Sequence, residues 1–305
     1  MHNRILVALA LLGTILYGCT SGEYEKTGSG LNYKFVKEGE GPAPANGDVI
    51  LLNISYLDEN NNILFSSDDT QQGPMPLSYN DSVFVRTGGI EEGIKMIQEG
   101  DSLVLQFPIE DLYENTFNMT LPDSIRRGSN VTVCMGAADV LTMDEFRAYS
   151  QEQILKMEDD QFAKDVQILD DYLSQENIDA KVHESGLRYV IVEQGTGENA
   201  QNGQQVNVDY AGKLLNGALF DTSDEELAKE NGVYMQGRPY GPIDFQLGTR
   251  SVIPGWDIGF GLLNAGSKAV FYIPSKLAYG PRGSGPSIPP NSILVFDVEL
   301  VSIGN

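Results

Sequence analysis

Histidine and cysteine are almost missing from this chain, with two of each in 305 residues. One histidine is His2 and the other is His183, so a serine–histidine relay has no available member. Zinc sites need several histidine or cysteine ligands together, and the sequence does not supply them. Basic residues are also scarce, 20 against 43 acidic ones, for a net charge of -23. That balance argues against nucleic acid and anionic membrane surfaces, both of which need Lys and Arg. The Gly-rich stretches at Gly195–Gly197 and Gly280–Pro286 lack the Lys-Ser/Thr of a phosphate loop and read as turns. No metal or other cofactor is expected. Tryptophan occurs once, at Trp256, inside VIPGWDIGFGLLNAG.

What is present begins with Arg4 followed by the apolar run Ile5 to Leu16, shorter than the ~20 residues of a spanning helix. It reads as an export signal over residues 1–18. Leu16-Tyr17-Gly18-Cys19 resembles the lipobox of bacterial lipoproteins, which implies acylation of Cys19, a polar tether over 19–29 and a lipid-anchored place in the bacterial cell envelope, at the outer membrane. An ordinary secretory signal ending in cysteine is the alternative. Cys134, in NVTVCMGAADV, reads as a small buried hydrophobe.

The chain repeats itself. GSGLNY at Gly28 returns as ESGLRY 156 residues later, and Gly39, Gly41 and Gly47 fall on Gly195, Gly197 and Gly203. LNISYLDENNNILF answers VNVDYAGKLLNGALF, with Tyr56 set on Tyr210 and Phe65 on Phe220. GGIEEGIKMIQEGDSLVLQFPIEDLY answers PGWDIGFGLLNAGSKAVFYIPSKLAY, with Gly93, Gly100, Pro108 and Tyr113 on Gly259, Gly266, Pro274 and Tyr279. Alternating segments such as VFDVELV predict half-buried antiparallel strands. Each copy reads as an α+β domain, a curved antiparallel sheet wrapping one short helix, over residues 30–142 and 183–305.

Between the copies, residues 143–182 contain a stretch without Gly or Pro over Met143 to Ile178. There Leu155, Phe162, Val166, Leu169 and Leu173 fall on one helical face. That face either packs on the flanking domains or serves as an arm for a homodimer or a client.

FDTS at Phe220, VIPGW at Val252, LAYG at Leu277 and IPPNSILVFDVELV at Ile288 closely resemble the FKBP-type peptidyl-prolyl cis-trans isomerases. The resemblance covers Ser185 to Ile303. It implies an isomerase that assists the folding of exported, proline-containing polypeptides. Trp256 is then the floor of an apolar cavity walled by Tyr210, Phe220, Val252, Ile253, Tyr279, Ile288 and Phe296, with Asp221 beside it. The Ile253 amide and the Tyr279 hydroxyl are the implied donors to substrate carbonyls.

Residues 222–242 form an insertion where compact members of that family have a short loop, and its SDEELAKENG portion predicts a helical turn capped by Ser223. Ile243 stands where many members carry an aromatic wall. In the first copy Ser66 is set against Asp221 and Ile90 against Trp256, so that copy is expected not to catalyse. An isomerase, a binding or chaperone module without turnover, and a structural lipoprotein are the readings carried forward. Trp256→Ala or Asp221→Val is expected to depress turnover and leave the fold largely intact.

Overall fold

The computed structural model describes residues 23–70 and 73–304. The export-signal and Cys19 readings fall outside the described residues. The chain divides into two compact units, 1–151 and 152–305.

In the first unit the strands are β1 (Glu25–Lys26), β2 (Asn32–Lys37), β3 (Val49–Leu57), β4 (Ile63–Ser66), β5 (Met75–Ser78), β6 (Ser102–Pro108) and β7 (Asn130–Leu141), with helix α1 (Ile90–Met96) between β5 and β6. They form one antiparallel sheet in the order β1-β2-β6-β7-β3-β4, with β5 also on β3. Glu25 and Lys26, read from the sequence as tether, are a strand paired with β2. Ser29 reinforces that edge by donating to Glu92 at 2.6 Å.

Helix α2 (Met143–Gln175) follows. Its start is a capping box: the Thr142 amide and hydroxyl both donate to the Glu145 carboxylate, at 2.9 and 2.7 Å. It ends three residues before Ile178, and Lys181–Val182, expected in the linker, are already strand β8.

The second unit continues with β9 (Arg188–Glu193), β10 (Thr196–Asn199), β11 (Gln205–Leu214), β12 (Leu219–Thr222), helix α3 (Glu225–Glu230), β13 (Ile243–Gln246), helix α4 (Pro254–Phe260), β14 (Asn264–Ala265), β15 (Lys268–Ile273) and β16 (Leu294–Ile303). Its main sheet runs β8-β9-β15-β16-β11-β12 with β13 also on β11, the same topology as the first unit. Pairs β10 and β14 form a separate ribbon.

The short α4 follows from its sequence. Pro254 fits the first helical position, where an amide would have no partner. Gly255 and Gly259, one turn apart, let the helix lie on the sheet. A Cβ at Gly255 would stand 2.5 Å from Ile273 Cγ2, and one at Gly259 2.6 Å from Phe271 Cε2. Trp256 and Phe260 fill the core beside them, with Val208, Phe271, Leu294 and Val298 from the sheet.

The opposite face of this sheet is covered by the second half of α2. Leu169 and Leu173 bury against Tyr272 and Ile293, with Val190, Val270 and Val295 around them. Asp165, 1% exposed, accepts from the Ser275 amide at 2.7 Å and from Gln161 Nε2 at 2.7 Å. Each buried leucine contributes about 1.5–3 kcal/mol, against 0–1 kcal/mol for a surface ion pair such as Lys276–Asp159. The leucines therefore hold this half of α2 in place. Of the stripe read from the sequence, Leu155 alone is exposed, at 52%.

Candidate functional site

Four aromatic rings surround Trp256. Its centroid lies 5.0 Å from Tyr210, 5.2 Å from Phe296, 5.4 Å from Phe260 and 5.9 Å from Phe245. Phe220 meets Phe296 edge-on at 5.6 Å. Gly212 makes room for this pair, since a Cβ there would fall 2.6 Å from Phe296 and 2.7 Å from Phe220. The indole is 5% exposed, and its Nε1 is buried without a hydrogen-bond partner. An unpaired donor costs about 1–3 kcal/mol. Burying an aromatic of this size returns about 4–6 kcal/mol, so apolar packing holds the ring.

At the edge of this group stands a polar cluster. Tyr210 donates its hydroxyl to Asp221 Oδ2 at 2.7 Å. Arg238 donates from Nη1 to Asp221 Oδ1, and from Nη2 to the Tyr210 hydroxyl at 2.9 Å. Burial, and then the Asp221 carboxylate, push the Tyr210 phenol well above its ordinary range, with Arg238 acting the other way. The hydrogen bond to Asp221 raises Arg238 in turn. Both rim partners are partly open to solvent, Arg238 at 24% and Asp221 at 38% side-chain exposure.

Val252 and Ile253 lead into α4 and pack half-buried against the aromatic group. Ile288 is buried beside them, its loop pinned by the Ser284 amide donating to its carbonyl at 2.8 Å. Tyr279 is 40% exposed, and burial of its inner part together with the charge of Asp221 raises its phenol. Among the described residues, neither the Ile253 amide nor the Tyr279 hydroxyl has an acceptor. Of the nine side chains expected from the sequence, Tyr210, Phe220, Val252, Ile253, Trp256, Ile288 and Phe296 share one apolar cluster, Asp221 is bonded to Tyr210 at its edge, and Tyr279 feels the charge of Asp221.

Arg238 was not among them. Its signal in the sequence was slight: with Lys229 it is one of two basic residues in an otherwise acidic insertion. The insertion's helix also starts one residue later than expected. Asp224 is the cap, accepting from the Leu227 amide at 3.0 Å. Ser223 is engaged elsewhere, its hydroxyl accepting from the Tyr210 amide at 2.9 Å and donating to Asp209 at 2.8 Å.

A cavity of about 750 Å³ lies on the other face of the sheet, lined by Asp209, Lys268, Val270, Asp297 and Glu299 and bordered by Tyr240 of the insertion. Strand alternation turns the side chains of these sheet residues away from Trp256, while Tyr210 borders both this space and the aromatic group.

Backbone register decides how the two copies correspond. In the first unit the Ile54 amide donates to Ser67 Oγ at 3.0 Å, as the Tyr210 amide does to Ser223 Oγ. Tyr56 pairs with Phe65 and Val133, where Gly212 pairs with Asp221 and Phe296. Tyr56 therefore stands at the place of Gly212, not of Tyr210, and Phe65 rather than Ser66 stands at the place of Asp221. On β3 the slip is two residues, which keeps every side chain on its face and is invisible to apolar alternation; on the short β4 it is one residue, which exchanges the faces. Ile90 does stand at the place of Trp256, since Gly93 packs on Leu105 as Gly259 packs on Phe271. Phe117 closes the first unit's aromatic group, 5.7 Å from Tyr56 and 5.8 Å from Tyr113.

Comparison with known proteins bears on residues 196–301, which match the family model of the FKBP-type peptidyl-prolyl cis-trans isomerases. A probable FKBP-type peptidyl-prolyl cis-trans isomerase, FkpA, of Neisseria meningitidis serogroup B is 46% identical over 124 residues, 41% of this chain and 40% of that protein. FK506-binding protein 2 of Yarrowia lipolytica is 43% identical over 126 residues, 41% of this chain and 78% of that protein. The chain thus spans less than half of the Neisseria relative's length. A crystal structure of a peptidyl-prolyl cis-trans isomerase from Pseudomonas syringae is 28% identical, covering 47% of this chain and 96% of that one, with a TM-score of 0.37.

Proposed function

The chain belongs to the FKBP-type peptidyl-prolyl cis-trans isomerase family, and from that premise we propose that its second unit accelerates cis–trans exchange at X–Pro bonds of polypeptides. The observation that carries this reading is the pairing of an apolar aromatic centre at Trp256 with the Asp221–Arg238–Tyr210 cluster at its edge.

Rotation about a peptide bond costs about 18–20 kcal/mol because resonance must be broken. Unaided X–Pro exchange takes tens to hundreds of seconds. A twisted amide has lost much of its charge separation, so apolar surroundings destabilise it less than the planar form. In this reading the proline ring rests on Trp256, between Tyr210, Phe220 and Phe296. The Ile253 amide and Tyr279 hydroxyl donate to the flanking carbonyls and hold the chain in a turn close to the transition state. The chemistry is non-covalent, and each tenfold of rate needs about 1.4 kcal/mol of differential stabilisation.

The test is exchange in a short X–Pro peptide with the full mature chain, with and without FK506. Drug-sensitive acceleration is the expected result. A folded protein without acceleration would leave a binding module as the reading, and the family's clients would then be ligands only.

The first unit is proposed as an FKBP-like binding or spacer module. It carries Phe65 and Ile90 at the places of Asp221 and Trp256, and Phe117 fills the space between Tyr56 and Tyr113.

The lipobox-like Leu16–Cys19 supports a lipid-anchored protein of the bacterial envelope that assists folding of exported chains. An acyl thioether and a disulfide are exclusive fates for the sulfur of Cys19. Intact-mass measurement separates them: acyl mass supports the anchor, and a disulfide without acyl mass removes it. A homodimer through α2 would draw on its exposed apolar side chains, Met143, Ile154, Leu155, Met157 and Ile168.

A further inference from the structure

The insertion between Asp221 and Ile243 returns to the residue it leaves from. Its outgoing end is β12, which carries Asp221, and its returning end carries Arg238 back onto the same carboxylate. The Gly241 amide closes the loop by donating to the Ser223 carbonyl at 2.8 Å. Gly237, at φ 83°, makes the turn that a side chain would strain.

Within this loop the guanidinium does not stand alone. Arg238 Cζ lies over the Tyr240 ring, 5.2 Å from its centroid. Tyr240 is stacked on Tyr234, with centroids 5.5 Å apart and planes 9° apart. Lys229 Nζ lies over the Tyr234 ring, 5.4 Å from its centroid, and is itself paired with Glu225 and Glu226. The Tyr240 hydroxyl accepts from the Met235 amide at 2.9 Å, a solvent-exposed bond that adds to the stacking. Arginine has a long, flexible stem, and an aromatic face against its planar head restricts where that head can lie.

We propose that Tyr240, backed by Tyr234, is a positioning residue that holds Arg238 on Asp221 and the Tyr210 hydroxyl. The insertion is then a working part of the site rather than a surface elaboration. The inference rests on the isomerase reading above and deepens it. Tyr240 acts through Arg238, so its effect depends on the guanidinium being there. An aromatic face, rather than a hydroxyl, is what the role requires.

The experiment uses the full chain and X–Pro peptide exchange, with kcat and KM resolved, for the wild type, Tyr240→Leu, Tyr240→Phe, Tyr234→Leu, Arg238→Ala and the Tyr240→Leu/Arg238→Ala pair. Tyr240→Leu is expected to lower kcat/KM about 10-fold, chiefly through kcat. Tyr240→Phe keeps the face and is expected to restore most of that loss. In the Arg238→Ala background Tyr240→Leu is expected to add nothing. Tyr234→Leu, at the outer side of the stack, carries the same test with a smaller loss should Tyr240→Leu not fold. Full activity in the leucine variants, or losses that multiply in the double variant, would overturn the inference and leave the isomerase reading standing. A folded wild type with no acceleration would overturn the isomerase reading and this inference with it.

Discussion

Trp256 meets Tyr210 edge to face, with ring centroids 5.0 Å and planes 71° apart. The same indole touches Phe245, Phe260 and Phe296, so it is core as much as surface. Trp256→Ala is therefore expected to cost about 3–5 kcal/mol of stability, more than the expectation of a largely intact fold allowed. Urea unfolding checks this, and a loss under about 1 kcal/mol would show that the ring is not packed as described. Trp256→Leu, which keeps apolar volume, is the better variant for reading turnover.

Asp221→Asn should act on rate more than on stability. The carboxylate is partly open to solvent and ties Arg238 to the Tyr210 hydroxyl. Turnover is expected to fall about 10-fold, with the unfolding midpoint moved little. Equal rates for the variant and the wild type would remove Asp221 from the proposed mechanism.

Gly259→Ala tests the seat of α4. The added methyl would enter the Phe271 ring, and the strain of overpacking is expected to cost about 1–3 kcal/mol. Thermal unfolding measures it. An unchanged midpoint would mean that the helix can lift from the sheet without penalty.

Alkaline pH should destabilise the protein through its buried phenols. Tyr56 and Tyr79 are raised from 10.0 to about 12, in each case chiefly by burial, and Tyr210 is raised as well. Above pH 10 the unfolded chain gives up these protons while the folded chain keeps them, so unfolding is favoured. The stabilisation is complete below about pH 10 and is lost as pH rises toward 12. Phenolate absorbance followed alongside unfolding checks the sign: ionisation of these groups in the native state near pH 10 would contradict it.

Inactivity of the first unit can be read in the intact protein. With Asp221→Val and Trp256→Leu combined, no residual acceleration of X–Pro exchange is expected, since Phe65 and Ile90 supply neither a carboxylate nor an indole. Residual turnover in the folded double variant would assign catalysis to the first unit.

The sequence by itself determined the repeat, the alternating strands and the short glycine-bearing helix with Trp256, because side-chain period and glycine placement are local properties. Motif order was enough to name seven residues that share the apolar cluster around Trp256, and Asp221 at its edge. Only the tertiary structure decided the register between the copies, since the two-residue slip on β3 leaves the apolar pattern unchanged and β4 is too short for its one-residue slip to stand out in that pattern. It alone brought Arg238 back across the insertion to Asp221, because a long, flexible side chain declares its partner through the fold of the loop and not through spacing. The second half of α2 was settled the same way. Its stripe was visible in the sequence, but the surface it covers, Tyr272 and Ile293, exists only once β15 and the loop before β16 are assembled.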